Sequence, residues 1–96
     1  MNIYDAAKIL KELGHPTRLQ VYKQLVKVGK KGVPVGELQE KLGVPNSTLS
    51  HHLSALISVG LIRQNRISRM LYCIPEYERL NELMMFLTDE CCTDEK

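Results

Sequence analysis

The stretch Gly36-Glu37-Leu38-Gln39-Glu40-Lys41-Leu42-Gly43-Val44-Pro45-Asn46-Ser47-Thr48-Leu49-Ser50-His51-His52-Leu53-Ser54-Ala55-Leu56-Ile57 decides the fold. Its first part, Gly36 to Leu42, places Leu38 and Leu42 one helical turn apart, and Gly43 ends that short helix. Leu49, Leu53, Leu56 and Ile57 then recur at i, i+4, i+7 and i+8, the stripe of an amphipathic helix that Asn46 or Ser47 can cap and Gly60 closes. Two helices joined by about three residues centred on a glycine, the second amphipathic, form a helix-turn-helix over residues 36–59.

The flanks extend this unit. Leu61-Ile62-Arg63-Gln64-Asn65 and Arg69-Met70-Leu71-Tyr72-Cys73-Ile74 read as two strands around a short basic turn, so residues 61–74 form a hairpin placed as a wing. Upstream, Asp5 to Leu13 sets Ala6, Ile9, Leu10 and Leu13 on one helical face, and Gly14 stops it. Pro16 opens a second helix with Leu19, Tyr22, Leu25 and Val26 inward. Gly29-Lys30-Lys31-Gly32 is a loop, and Val33-Pro34-Val35 has room for an edge strand only. A last helix follows Pro75, with Leu80, Leu83, Met84 and Leu87 on one face; Met85 and Phe86 carry the apolar surface beyond it. That excess implies burial against a partner, so the helices in 1–13 and 76–90 are the expected dimerisation elements and 91–96 an acidic tail. The expected fold is mainly α with a small β-hairpin wing: a dimeric winged helix-turn-helix, one domain over residues 1–96.

Composition narrows the function. The formal net charge of +2 is small, but the tail from Thr88 to Lys96 carries −3, leaving +5 on residues 1–87 with Arg63, Arg66 and Arg69 close together. A local basic stripe is what phosphate contact requires, because each neutralised phosphate releases counterions. No apolar run approaches the roughly 20 residues of a membrane span, and the N-terminus lacks a signal-peptide pattern, so the expected location is the cytoplasm. Three cysteines, an odd number, argue against a disulfide framework.

If the second helix of the motif lies in a major groove, the residues opposite its apolar stripe meet the base edges: Asn46, Ser47, Thr48, Ser50 and His51. Asn46 and Ser47 have capping as a competing role. His52, adjacent to His51 and facing elsewhere, reads as a structural or backbone-contacting residue, and His15 as a helix-start residue before Pro16. Arg66 and Arg69 flank the wing turn and should reach phosphate or the minor groove, the plain alternative being a solvated basic face. A two-fold dimer would read double-stranded operator DNA as an inverted repeat.

The runs Leu13-Gly14-His15-Pro16-Thr17-Arg18-Leu19, Ser47-Thr48-Leu49-Ser50-His51-His52-Leu53, Gly60-Leu61-Ile62 and Leu71-Tyr72, in this order and spacing, closely resemble the ArsR/SmtB family of metal-responsive repressors. The resemblance covers about residues 5–92 and implies a dimer that represses its own operon and leaves DNA on binding an inducer. Two familiar inducer sites of that family are absent. The stretch Pro34-Val35-Gly36-Glu37-Leu38 stands where the family's Cys-Val-Cys-Asp-Leu run would lie, without its cysteines, and the last helix has no histidine for a zinc-type site. The ending Asp89-Glu90-Cys91-Cys92 resembles that of members sensing trivalent arsenic through C-terminal cysteines, although no third cysteine follows through Lys96.

Thiolates are the soft ligands a protein offers, and arsenic or antimony in the trivalent state is a soft centre that takes a three-coordinate pyramid. Two thiolates satisfy a singly methylated arsenite, which has two exchangeable positions. Inorganic arsenite would call on Cys73, a partner-chain cysteine or a retained hydroxide as well as Cys91 and Cys92. Cys73, alternating with Tyr72 and Ile74, is expected to be partly exposed on a wing strand. No further cofactor is required. The pair has two other readings, an incidental exposed pair or a sensor of oxidants or reactive sulfur, and the domain itself has one other, a protein-binding module without an operator. Catalysis is not expected. The Cys73/Arg79 spacing mimics an oxyanion-binding phosphatase loop, but Ile-Pro-Glu-Tyr-Glu between them supplies no glycine and two repelling carboxylates.

Overall fold

A computed structural model describes residues 1–95. The elements are α1 (Ile3–Leu13), α2 (Pro16–Val28), β1 (Val33–Pro34), α3 (Val35–Leu42), α4 (Asn46–Ser58), β2 (Ile62–Ile67), β3 (Met70–Pro75) and α5 (Tyr77–Thr88). The strands form an antiparallel sheet in the order β1-β3-β2, with Ile62 opposite Pro75 and Ile67 opposite Met70 in the hairpin, and Val33 opposite Cys73 at the other edge. This is a winged helix-turn-helix: α3 and α4 are the motif, and the β2–β3 hairpin is the wing.

Local chemistry accounts for the boundaries. The Asn2 side chain accepts from the Asp5 amide at 2.8 Å and caps α1, Pro16 occupies the first position of α2, and Gly43 ends α3 in the left-handed conformation. Gly32 (φ +75°) leads into β1, and a Cβ there would sit 2.7 Å from both the Cys73 carbonyl oxygen and Ile74, so only glycine lets the chain join the sheet edge. The core gathers Ala6 and Ile9 of α1, Val21, Tyr22 and Leu25 of α2, Leu38 of α3, Leu49, Leu53 and Leu56 of α4, Leu61, Ile62 and Cys73 of the wing base, and Leu83 of α5.

Several faces differ from expectation. In α2 the inward positions are Arg18, Val21, Tyr22 and Leu25, while Leu19 is exposed; a charged residue reads as outward, and Arg18 is buried by partners outside its own helix. Leu10 and Ile57 are also exposed. Neither Asn46 nor Ser47 caps α4: the cap position is Pro45, which has no side-chain acceptor, and Asn46 is already helical. In α5, Leu83 is buried with Leu80 and Phe86 half-buried beside it, whereas Met84 and Leu87, expected on the inward face, are exposed with Met85. Cys73 is not partly exposed but fully buried, because β3 is the central strand and Cys73 faces the helical core. Among the described residues, no helix is long and apolar enough to cross a membrane.

The buried Tyr22 hydroxyl finds no hydrogen-bond partner among the described residues, and burial, with Tyr77 nearby, pushes its pKa up to about 12. An unpaired buried hydroxyl carries a desolvation penalty that phenylalanine lacks. Tyr22→Phe is therefore expected to be neutral or to stabilise the fold by up to about 1 kcal/mol in urea denaturation; a clear loss of stability would reveal a partner for the hydroxyl.

Candidate nucleic-acid interface and thiol pair

Helix α4 presents two chemically distinct faces. Leu49, Leu53 and Leu56 point into the core, and Asn46, Ser47, Thr48, Ser50 and His51 are all exposed on the N-terminal half. Residues 46–58 include no carboxylate, so the exposed face offers hydroxyls, an amide and an imidazole with nothing to repel phosphate. With no cap to form, the Asn46 and Ser47 side chains are left available to a ligand.

His52 turns the other way. It is 3% exposed, and its Nδ1 accepts from Arg18 Nε at 3.1 Å; the Arg18 guanidinium also donates to a Glu12 carboxylate oxygen and, at 3.4 Å, to the Glu12 carbonyl. The His15 ring lies 4.8 Å from that of His52, between ring centres, and His51 lies 5.9 Å away. Burial first, then the Arg18 charge and the neighbouring histidines, hold the His52 pKa below its ordinary value, which favours the neutral ring that the hydrogen bond from Arg18 requires. A chain of contacts thus runs from α1 through α2 to the inner side of α4. Sequence reasoning read His52 as a structural or backbone-contacting residue and His15 as a helix-start residue but missed Arg18, whose only signal is a charge set where a core position is due.

The wing narrows the basic stripe. The hairpin turns at Ser68–Arg69, placing Arg69 in the turn and Arg66 on β2, both exposed. Arg63 is instead tied to Glu76 at 2.6 Å, near the base of the hairpin. Among the described residues, Arg66 and Arg69 form no ion pair, so they are the wing's free cations.

The cysteines separate into two environments. Past the end of α5, residues 89–94 turn repeatedly, with the Cys91 amide donating to the Thr88 carbonyl at 3.0 Å and positive φ at Glu90 and Cys92. That backbone brings the exposed Cys91 and Cys92 sulfurs to 2.8 Å, a convergence an ideal helix forbids because adjacent side chains diverge by about 100°. Both thiols are free. Hydrogen bonding to Cys91 and then to Glu95 raises the pKa of Cys92. Cys73 sits in the core with Gln64 Nε2 3.6 Å from its sulfur, and burial pushes its thiol up. Among the described residues, no three His, Cys, Asp or Glu side chains converge as a metal site. Arg79 is engaged with the Val59 carbonyl, so it forms no oxyanion loop with buried Cys73.

Helices α1 and α5 pack together, and both carry large apolar side chains in the open: Ile3, Tyr4 (78% exposed) and Leu10 on α1, and Met84, Met85 (71%) and Leu87 on α5. Met1 and Met85 line one shared groove.

Comparison with known proteins agrees with the fold. A helix-turn-helix domain family model matches residues 13–65. The biofilm growth-associated repressor of Xylella fastidiosa (strain Temecula1) is 34% identical over 93 residues, spanning 96% of this chain and 78% of that protein. The transcriptional repressor PagR of Bacillus anthracis is 31% identical over 86 residues, 88% and 85% of the two chains. The solution structure of a homodimeric winged helix-turn-helix DNA-binding domain from Mycobacterium bovis, a possible ArsR-family regulator, superposes with a TM-score of 0.72 over 97% of this chain and 84% of that one; at 23% identity this is a likeness of fold.

Proposed function

Because this chain belongs to the helix-turn-helix transcriptional regulators, we propose that it is a homodimeric repressor of the ArsR/SmtB type, released from its operator by trivalent arsenic or antimony bound at Cys91 and Cys92. The observation that carries the inducer assignment is the convergence of two free, exposed sulfurs at 2.8 Å on the tail of α5. Methylarsenite, a dihydroxy species, would exchange both hydroxyls for the two thiols and release two waters. Inorganic arsenite would retain one hydroxide or take a thiol from the partner chain. Cys73, fully buried in the core, is left out of the ligand set.

The exposed apolar side chains of α1 and α5 support dimerisation through those helices, which would place two copies of α4 to read an inverted repeat in the cytoplasm. In that arrangement Asn46, Ser47, Thr48, Ser50 and His51 meet base edges, and Arg66 and Arg69 meet the backbone or minor groove.

The inducer assignment is tested by titrating methylarsenite into reduced protein and following free thiols and intact mass. The expected result is one arsenic per chain with two thiols lost, and no such adduct in Cys91→Ser or Cys92→Ser. Binding that survives either substitution would reject the pair as the site. The same proximity supports a second reading, in which an oxidant such as peroxide takes the two thiols to a disulfide and is itself reduced to water. Release of DNA by peroxide, reversed by dithiothreitol and unaccompanied by any arsenical response, would favour it.

A further inference from the structure

The first turn of α5 holds the ends of two other helices. Tyr77 Oη donates to the Val26 carbonyl at 2.7 Å in the last turn of α2, and Arg79 Nε donates to the Val59 carbonyl at 3.3 Å, the C-cap of α4. Carbonyls at a helix end have no partner within the helix, so these donors fix where α2 and α4 terminate relative to α5. The Arg79 stem lies along Gly60 (φ +78°), where an added Cβ would be 3.5–3.9 Å from Arg79 atoms, and Glu82, one turn on, pairs with the guanidinium at 3.5 Å. Just before α5, the Glu76 amide donates to the Leu61 carbonyl at 2.8 Å.

This grip sits at one end of α5, the cysteine pair lies just past the other, and the exposed methionines lie between. A twelve-residue helix is a stiff rod about 18 Å long, anchored to the core chiefly by Leu83. A shift at its C-terminal end therefore reaches the first turn, where Arg79 is the side chain in contact with the end of α4. We propose that Arg79 is a positioning residue that sets the orientation of α4 on DNA and transmits displacement of α5 to it. The transmission half of this proposal rests on the function proposed above; the positioning half does not.

Two substitutions isolate the donor. Glutamine places an amide nitrogen at the same distance along the side chain as Arg79 Nε, whereas methionine retains the stem over Gly60 without a donor. Each full-length variant is titrated onto promoter DNA by fluorescence anisotropy, with and without methylarsenite, and amide exchange is followed at Gly60 and Leu61, whose N–H groups bond to Ile57 and Leu56. Arg79→Gln should behave like the parent. Arg79→Met should unfold cooperatively, exchange faster at those two amides and bind the promoter about tenfold more weakly, and methylarsenite should change its affinity less than about threefold, against the 5- to 150-fold typical of allosteric coupling. A methionine variant that binds and releases DNA like the parent overturns the proposal. Equal damage from Gln and Met also overturns it, because the charge rather than the donor would then be at work. A parent protein indifferent to methylarsenite, together with weak binding by Met and normal binding by Gln, supports the positioning role and rejects the arsenical reading instead.

Discussion

Arg18→Met should destabilise the chain by about 3 kcal/mol, the cost of breaking a buried charge network by removing one partner, and should abolish operator binding. Arg18 is 8% exposed and joins three elements: its guanidinium holds Glu12 at the end of α1, extends from the first turns of α2, and donates to His52 on the inner side of α4. Methionine fills much of the same volume but leaves the Glu12 carboxylate and His52 Nδ1 without a donor. For a domain of this length the loss corresponds to a fall in melting temperature of about 12–24 °C. Thermal and urea unfolding at fixed protein concentration will measure it; concentration must be held because dimerisation contributes to apparent stability. A loss under about 1 kcal/mol would mean that the network is incidental.

The same network predicts a pH dependence with a definite sign. The folded-state pKa of His52 is below that of the unfolded chain, so the folded protein binds fewer protons. Its contribution is complete above about pH 6.5, the ordinary histidine value, and is lost as pH falls from there towards the lowered folded value. The groups facing His52 are Arg18, Glu12 through Arg18, His15 and His51. His52→Gln, whose carbonyl can still accept from Arg18, should show a flatter stability profile between pH 7 and 5. An unchanged slope would assign the acid sensitivity to other groups.

The second large effect concerns DNA. Ser47→Ala and His51→Ala should each weaken operator binding by about 1–3 kcal/mol, roughly 5- to 150-fold, while leaving affinity for unrelated duplex nearly unchanged. Arg66→Gln and Arg69→Gln should weaken binding to every sequence and lower the slope of log affinity against log salt by about one each. Arg63→Gln provides the internal contrast. Its charge is already paired with Glu76, so the slope should stay within experimental error of the parent. If Arg63 contributes as much as Arg66, the wing approaches DNA through its base rather than its turn.

Much of this was legible in the residues. Periodicity gave the helix-turn-helix because Leu49, Leu53 and Leu56 repeat with helical spacing and Gly43 and Gly60 punctuate them, and the hairpin followed from two short apolar runs around a basic turn. The exposed N-terminal face of α4 was legible for the same reason, with His52 as the exception: it lies outside the leucine stripe and is buried against Arg18. Three features that shape the candidate site were not. Arg18 is buried because Glu12 and His52, six and thirty-four positions away, converge on it, and no local pattern reports a partner that distant. Cys73 is sealed because β1 joins the sheet and makes β3 central; the sequence allows an edge strand at Val33-Pro34-Val35 but does not say which strand it joins. Arg63 reads as one of three neighbouring arginines, but the hairpin register brings it beside Glu76. Each miss is a tertiary pairing that a one-dimensional pattern does not encode.

The most direct test is fluorescence anisotropy of the reduced protein on its own promoter DNA, titrated with arsenite and then methylarsenite, with Cys91→Ser and Cys92→Ser in parallel. Tight, salt-dependent binding by a dimer is expected, with release by at least one of the two compounds by 5- to 150-fold and no release in either cysteine variant. Tight binding that neither compound disturbs, or release that persists without the cysteines, would contradict the proposed function.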